Sequence, residues 1–252
     1  MNPEDVKALL PPSVVENLLG PASDAIGKTL GGFLYGIFQW PIKYGIVKKA
    51  EFDDLARKTS KKYQEIPQQN RSDAKAGLAL KALEESKYQL NEEELREMFA
   101  QLIASSFDNR INNIISPRFA TVLSQLSGTD AKFFKTIVNE WRGDIPYGYM
   151  IERTEEWGPY RTISFKWYQS GATTMSMLPN VTVDTLTSLG IVNQSEDSYP
   201  SNDFFDKKYS YIENSIRTNK YEQIDNSNKL IEFKRGHIEY TSFGRELANC
   251  VL

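Results

Sequence analysis

The chain is poor in the residues that usually carry chemistry. Cys250 is its only cysteine and His237 its only histidine. One cysteine excludes an intramolecular disulfide, and the pair is too small for a zinc-ligand set. A lone histidine, with no serine, cysteine or carboxylate at a recognisable spacing, defines no catalytic triad and too few donors for another metal. Cys250 reads as a small core residue in a terminal helix, and His237 as a surface residue at a hairpin tip. Charge of one sign is also lacking. A formal net charge of −3 gives no global basic field for sequence-independent nucleic-acid binding, leaving only a local patch. The longest apolar run, Thr29 to Ile42, is uncharged but shorter than the roughly twenty residues a spanning helix needs. The start, MNPEDVKALLPPS, has neither a basic leader nor an apolar core of signal-peptide type, so the expected place is the cytoplasm or a membrane surface facing it. Hydrophobic content of 40% with 25% charged residues excludes disorder of the whole.

What is present is mostly helical. In the stretch NEEELREMFAQLIASSFDNRINNIISPRFATVLSQL, Asn91 and Glu94 fit a capping box. Leu95, Phe99, Leu102, Ile103 and Phe107 then recur at helical spacing. Ser116-Pro117 opens a second helix, since serine caps and proline fits a first turn, with Phe119, Val122, Leu123 and Leu126 on its buried side. Upstream, Ser13 is placed to cap Val14 to Leu19, a longer helix runs through Trp40 and is broken at Pro41, and further helices are expected over 48–63 and 73–88. Downstream, 129–141 carries a broad apolar stripe.

The texture changes after Arg142. Gly143, Pro146, Gly148, Gly158 and Pro159 read as linker and loops, which puts a boundary at about 145 between a helical domain (1–145) and a second domain (146–252). A strand is expected at Thr162 to Trp167 and a short helix at Val181 to Leu189, closed by Gly190. A polar insertion follows at about 193–229, with a helix at 204–216 inside it. Leu230 to Phe233 and His237 to Tyr240 flank Lys234-Arg235-Gly236 as a hairpin, and Thr241 caps a last helix. Helix, hairpin and closing helix give the order of a winged-helix-like module, so the class is mainly α, α+β overall: an N-terminal multi-helix domain followed by a winged-helix-like α+β domain.

Taken with Ser127-Gly128-Thr129-Asp130-Ala131 and the ending GHIEYTSFGRELANCVL, the capped helical pair resembles the abortive infection alpha family, a bacterial family of unknown molecular function linked to phage defence. The resemblance spans roughly residues 10 to 252 and is strongest at 92–131 and 236–251. Where the family pattern has His-Pro-x-Phe, this chain has Ser116-Pro117-Arg118-Phe119, so a role for that histidine is not available here. The resemblance implies phage defence and is silent on chemistry.

Three constellations compete for function. Residues 22–29, ending Gly27-Lys28-Thr29, satisfy a relaxed phosphate-loop pattern, but no strand precedes them and the interior is ordinary helix sequence. No catalytic residue, cofactor, metal or small-molecule substrate is assigned. Between Ile26 and Ile46, two small-residue pairs (Gly27/Gly31 and Gly32/Gly36), a terminal Trp40 and Tyr44, and following lysines suit a buried or oligomer-interface helix, or one lying on a membrane surface. The residues that would carry either contact are Leu30, Phe33, Leu34, Ile37, Trp40, Lys48 and Lys49. The third set is Lys207, Lys208, Arg217, Lys234 and Arg235, interleaved with Tyr209, Tyr211 and Tyr221, as a nucleic-acid or protein contact. The expected action is protein or membrane interaction rather than catalysis, with a nucleic-acid-binding regulator as the alternative.

Overall fold

A computed structural model describes residues 3–21, 23–141, 143–196, 199–200, 202–218 and 230–252. It is an α+β fold with a helical N-terminal part, as the sequence pattern predicts. The chain divides into two compact units, one of residues 1–132 and 246–252 and one of residues 133–245.

The first unit contains α1 (Pro3–Leu9), α2 (Pro12–Leu19), α3 (Ala25–Lys43), α4 (Lys49–Glu65), α5 (Ala76–Ser86), α6 (Glu93–Ser105), α7 (Pro117–Leu123) and the start of α8 (Gly128–Trp141). Leu95, Met98, Phe99, Leu102 and Ile103 of α6 are all buried, as their helical spacing requires, together with Phe52 and Tyr63 of α4 and Phe119 of α7. Over this core, an ion-pair ladder ties α4 to α6: Arg96 to Asp54 at 2.9 Å, Lys58 to Asp54 at 3.1 Å and to Glu97 at 3.4 Å, and Lys62 to Glu97 at 2.7 Å. Burial pushes the Asp54 and Glu97 carboxyls up, yet the hydrogen bonds and charges of these cations outweigh it and hold both below the usual range.

Helix ends differ from the sequence reading in three places. The capping box does not form: Glu92 is the N-cap of α6, and Asn91 Nδ2 donates to Glu92 Oε1. The Glu92 side chain instead fills the space beside Gly128, where a Cβ would meet it. Ser13 lies inside α2, whose N-cap is Pro11. Pro41 does not break α3, which continues to Lys43. Near the last turn of a helix, a proline forfeits only one internal hydrogen bond. Ser116 caps α7 as expected, accepting from the Arg118 N–H at 3.3 Å.

The second unit is built on a six-stranded antiparallel sheet, among the described residues, with order β4-β3-β1-β6-β5 and β2 also paired to β1. The strands are β1 (Asp144–Arg153), β2 (Tyr160–Thr162), β3 (Trp167–Gln169), β4 (Met175–Met177), β5 (Val192–Ser195) and β6 (Leu230–Tyr240). Helix α9 (Asn180–Ser188) ends at Gly190, φ +75°, and α10 (Asp203–Arg217) is capped by Asn202. Thr241 caps α11 (Ser242–Val251) through Oγ1, which accepts from the Gly244 N–H at 2.9 Å. From residue 246 onward α11 belongs to the first unit, and there Cys250 is buried, which pushes its thiol up to about 12.

Three expectations fail in this unit. The glycine- and proline-rich stretch after Arg142 is only partly loop: Pro146 and Gly148 lie in β1, the strand with the most partners, whereas Gly158 and Pro159 stand in the turn that follows it. Thr162 to Trp167 is not one strand: β2 ends at Thr162, β3 begins at Trp167, and Phe165 between them is exposed. Residues 230–240 are not a hairpin but the single strand β6, running beside β1 from Leu230 opposite Arg153 to Glu239 opposite Asp144. No wing therefore exists at 230–240. His237, expected at a surface tip, is 5% exposed in the middle of the sheet, opposite Pro146 and Ser195. The end of the polar insertion, 219–229, with Tyr221, lies outside the described residues.

Candidate functional site

Helix α3 starts where the phosphate-loop pattern was read, and the start is a structural node. Asp24 caps the helix, Oδ1 accepting from the Gly27 N–H at 2.6 Å and from the Tyr63 hydroxyl at 2.6 Å. Arg71 Nη1 donates to Oδ2 at 2.8 Å, and its guanidinium stacks 4.6 Å from the Tyr63 ring centre. Burial pushes the Asp24 carboxyl up, but these donors outweigh it and hold it below the usual carboxylate range. Burial and the Asp24 charge push the Tyr63 hydroxyl well up. Lys28 is exposed on the next turn. The node uses the Gly27 amide to hold a carboxylate of the chain itself, so that donor is not directed at a phosphate.

Along α3 the residues separate by face. Gly27, Leu30, Gly31, Leu34 and Phe38 are buried, with Phe38 packed on Phe52 at 4.9 Å between ring centres. The Gly27/Gly31 pair is used within the chain: a Cβ at Gly31 would lie 2.7 Å from Leu19 Cδ2, so the missing side chain lets α2 approach closely. Gly32 and Gly36 have no atom within 4 Å of a built Cβ. Leu30 and Leu34 are thus core residues, while Phe33 and Ile37 are half-buried and Trp40 is 53% exposed. Trp40 stacks on Tyr44 at 5.8 Å, and Lys43 Nζ lies 5.1 Å from the Trp40 ring centre. Lys48 is exposed and pairs with Glu51 at 3.1 Å; Lys49 pairs with Asp53 and lies over Phe52.

The exposed apolar surface reaches further than the α3 stripe. Tyr44 is 68%, Ile46 67% and Tyr88 75% exposed, and Ile46 and Tyr88 line one groove with Lys48 and Lys87. This end of the helical unit therefore gathers Trp40, Tyr44, Ile46 and Tyr88 from the end of α3, the loop after it and the turn after α5. Sequence reasoning missed Ile46, Tyr88 and Lys87 because none belongs to a periodic stripe. The only local signal is Gly45, whose φ of +69° turns the chain so that Ile46 leaves the helix axis.

In the second unit, most of the expected cationic contacts are spent internally. Arg235 pairs with Asp206 at 3.2 Å and lies against both the Tyr199 and Tyr209 rings, at 5.4 and 5.2 Å from their centres. Lys208 lies over Trp141 and Phe204, Arg217 pairs with Glu213 at 2.8 Å, and Lys234 with Glu232 at 3.6 Å. Lys207 is exposed. Tyr209 is fully buried and donates to the Gly236 carbonyl at 3.0 Å, so it presents no ring for a base. A second polar cluster joins strands across the sheet: Tyr149 donates to Glu196 at 2.9 Å, Lys166 to Glu196 at 2.6 Å, and Gln194 to the Tyr147 hydroxyl at 2.8 Å. Burial pushes both tyrosines well up. It also pushes Glu196 up, but Lys166 and Tyr149 outweigh it and hold that carboxyl below its usual range. Among the described residues, no three histidine, cysteine, aspartate or glutamate side chains converge as a metal site.

A family model described as Abortive infection alpha matches residues 47–251. No curated protein and no solved structure matches the chain.

Proposed function

The chain belongs to the abortive infection alpha family, and on that premise we propose that it serves phage defence by binding rather than by catalysis, through the exposed end of α3. The family description supports the process, in which an infected cell halts its own growth. The observation that supports the means is the exposure of Trp40, Tyr44 and Ile46 within one short stretch, with Trp40 stacked on Tyr44, beside a well-packed helical core. Large apolar side chains scattered singly on a surface need no explanation, whereas a cluster edged by charge marks a contact site. No helix among the described residues is long and apolar enough to cross a membrane, so the surface is read as a docking face.

The test is phage plating and growth after infection in cells carrying the wild type or Trp40→Ser with Tyr44→Ser. Both side chains are exposed, so the double variant should keep its far-UV spectrum and melting temperature while losing protection. Full protection by the folded variant would overturn the reading.

A further inference from the structure

We infer that the surface at the end of α3 docks peripherally on an anionic lipid bilayer, with the groove between Ile46 and Tyr88 as part of the contact and α3 remaining packed. The inference deepens the binding role assigned to that surface above and rests on it. Three features point to lipid. First, the exposed groups are two aromatic residues with polar tips (Trp40 and Tyr44), a third (Tyr88) and one aliphatic residue (Ile46), the composition that favours headgroup depth. They come from two chain segments, 40–46 and the turn after α5, so a surface rather than one helix is presented.

Second, the surrounding charge is complementary to anionic headgroups. Lys43 lies on Trp40, while Lys48 and Lys87 line the groove with Tyr88. The nearby carboxylates are Glu51, held by Lys48, and Asp5, which lines the hollow beside Trp40 and Lys43. The cationic excess is small, but it stands on a chain whose net charge is −3.

Third, the buried face of α3 is fixed. Leu30, Leu34 and Phe38 are fully buried, Gly31 is closed by Leu19, and Asp24 pins the first turn to Tyr63 and Arg71. Insertion of α3 would undo all of this; contact through Trp40, Tyr44, Ile46 and Tyr88 undoes none of it.

The experiment is cosedimentation of the full chain with vesicles of phosphatidylcholine alone, or of phosphatidylcholine with phosphatidylglycerol, at low and high salt. The wild type should pellet with the anionic vesicles, less so at high salt. Lys43→Gln and Lys87→Gln should each weaken partitioning roughly fivefold, and Ile46→Ser with Tyr88→Ser should abolish it while the circular dichroism spectrum stays unchanged. Binding that survives the Ile46 and Tyr88 changes, or that is equal on both vesicles, overturns the inference. So does a wild type that stays in solution with both. In that last case, loss of phage protection in the Trp40 and Tyr44 variant leaves the binding role standing with a protein as occupant, and unchanged protection removes both.

Discussion

The ring of Tyr147 on β1 occupies the space that a side chain on Gly236, its register partner on β6, would need: a Cβ built at Gly236 falls 2.3 Å from the Tyr147 Cζ. At the next residue of β1 the roles exchange on the diagonal: the ring of Phe233, the partner of Met150, lies over Gly148, where a Cβ would come within 2.1 Å. Each strand of the central pair thus supplies a glycine beneath a ring of the other.

Gly236→Ala should therefore destabilise the protein by about 1–3 kcal/mol through overpacking, measured by denaturant unfolding. Gly236→Asn separates this arrangement from a hairpin turn. Asparagine is well tolerated where a turn needs a positive φ, but here it should cost at least as much as alanine. An asparagine variant as stable as the wild type would restore the hairpin.

The same pair shows why the helical half was legible and the sheet was not. Leu95, Phe99, Leu102 and Ile103 repeat at helical spacing because one face meets the core and the other meets water, and all four are buried. In β1, residues from Ile145 to Glu152 are all buried, so no alternation survives to mark a strand. Gly148 and Gly236, present to receive rings, mimic turn residues when neighbours in space are unknown. Pro146 reinforced that reading, although it stands opposite His237 within the β1–β6 ladder. His237 was misplaced for the same reason, since the supposed tip is the middle of a strand. For the candidate site, Trp40 is legible from its place near the end of an uncharged helical run, whereas Ile46, Tyr88 and Lys87 are joined only by the fold. The sequence pattern groups Leu30 and Leu34 with Trp40 because periodicity finds an apolar face without saying what covers it.

Lys28 is exposed, and the Gly27 amide beside it is bonded to Asp24. Lys28→Ala should leave thermal stability within about 0.5 kcal/mol of the wild type, as for an ordinary surface position, and should leave phage protection intact. Loss of both ATP binding and protection in a folded Lys28→Ala protein would revive the phosphate-loop reading.

Asp24 carries the opposite expectation, because one carboxylate closes three contacts: the α3 cap, the Tyr63 hydroxyl and the Arg71 guanidinium. Loss of an N-cap alone costs about 1 kcal/mol, and hydrogen bonds to a charged group are worth about 1.5–3 kcal/mol each. Since these contributions overlap at one side chain, Asp24→Ala should cost about 2–4 kcal/mol. Asp24→Asn tests the charge, because it keeps the shape and one acceptor oxygen. The folded carboxyl is held below its ordinary value, so its contribution is fully present above the unfolded value of about 4. It is lost as pH falls through the lower folded value. The stability difference between wild type and Asp24→Asn should therefore be constant from neutral pH down to about 5 and shrink steadily below 4. A difference that does not narrow in acid would show that the node depends on shape and hydrogen-bond count rather than on the charge facing Arg71.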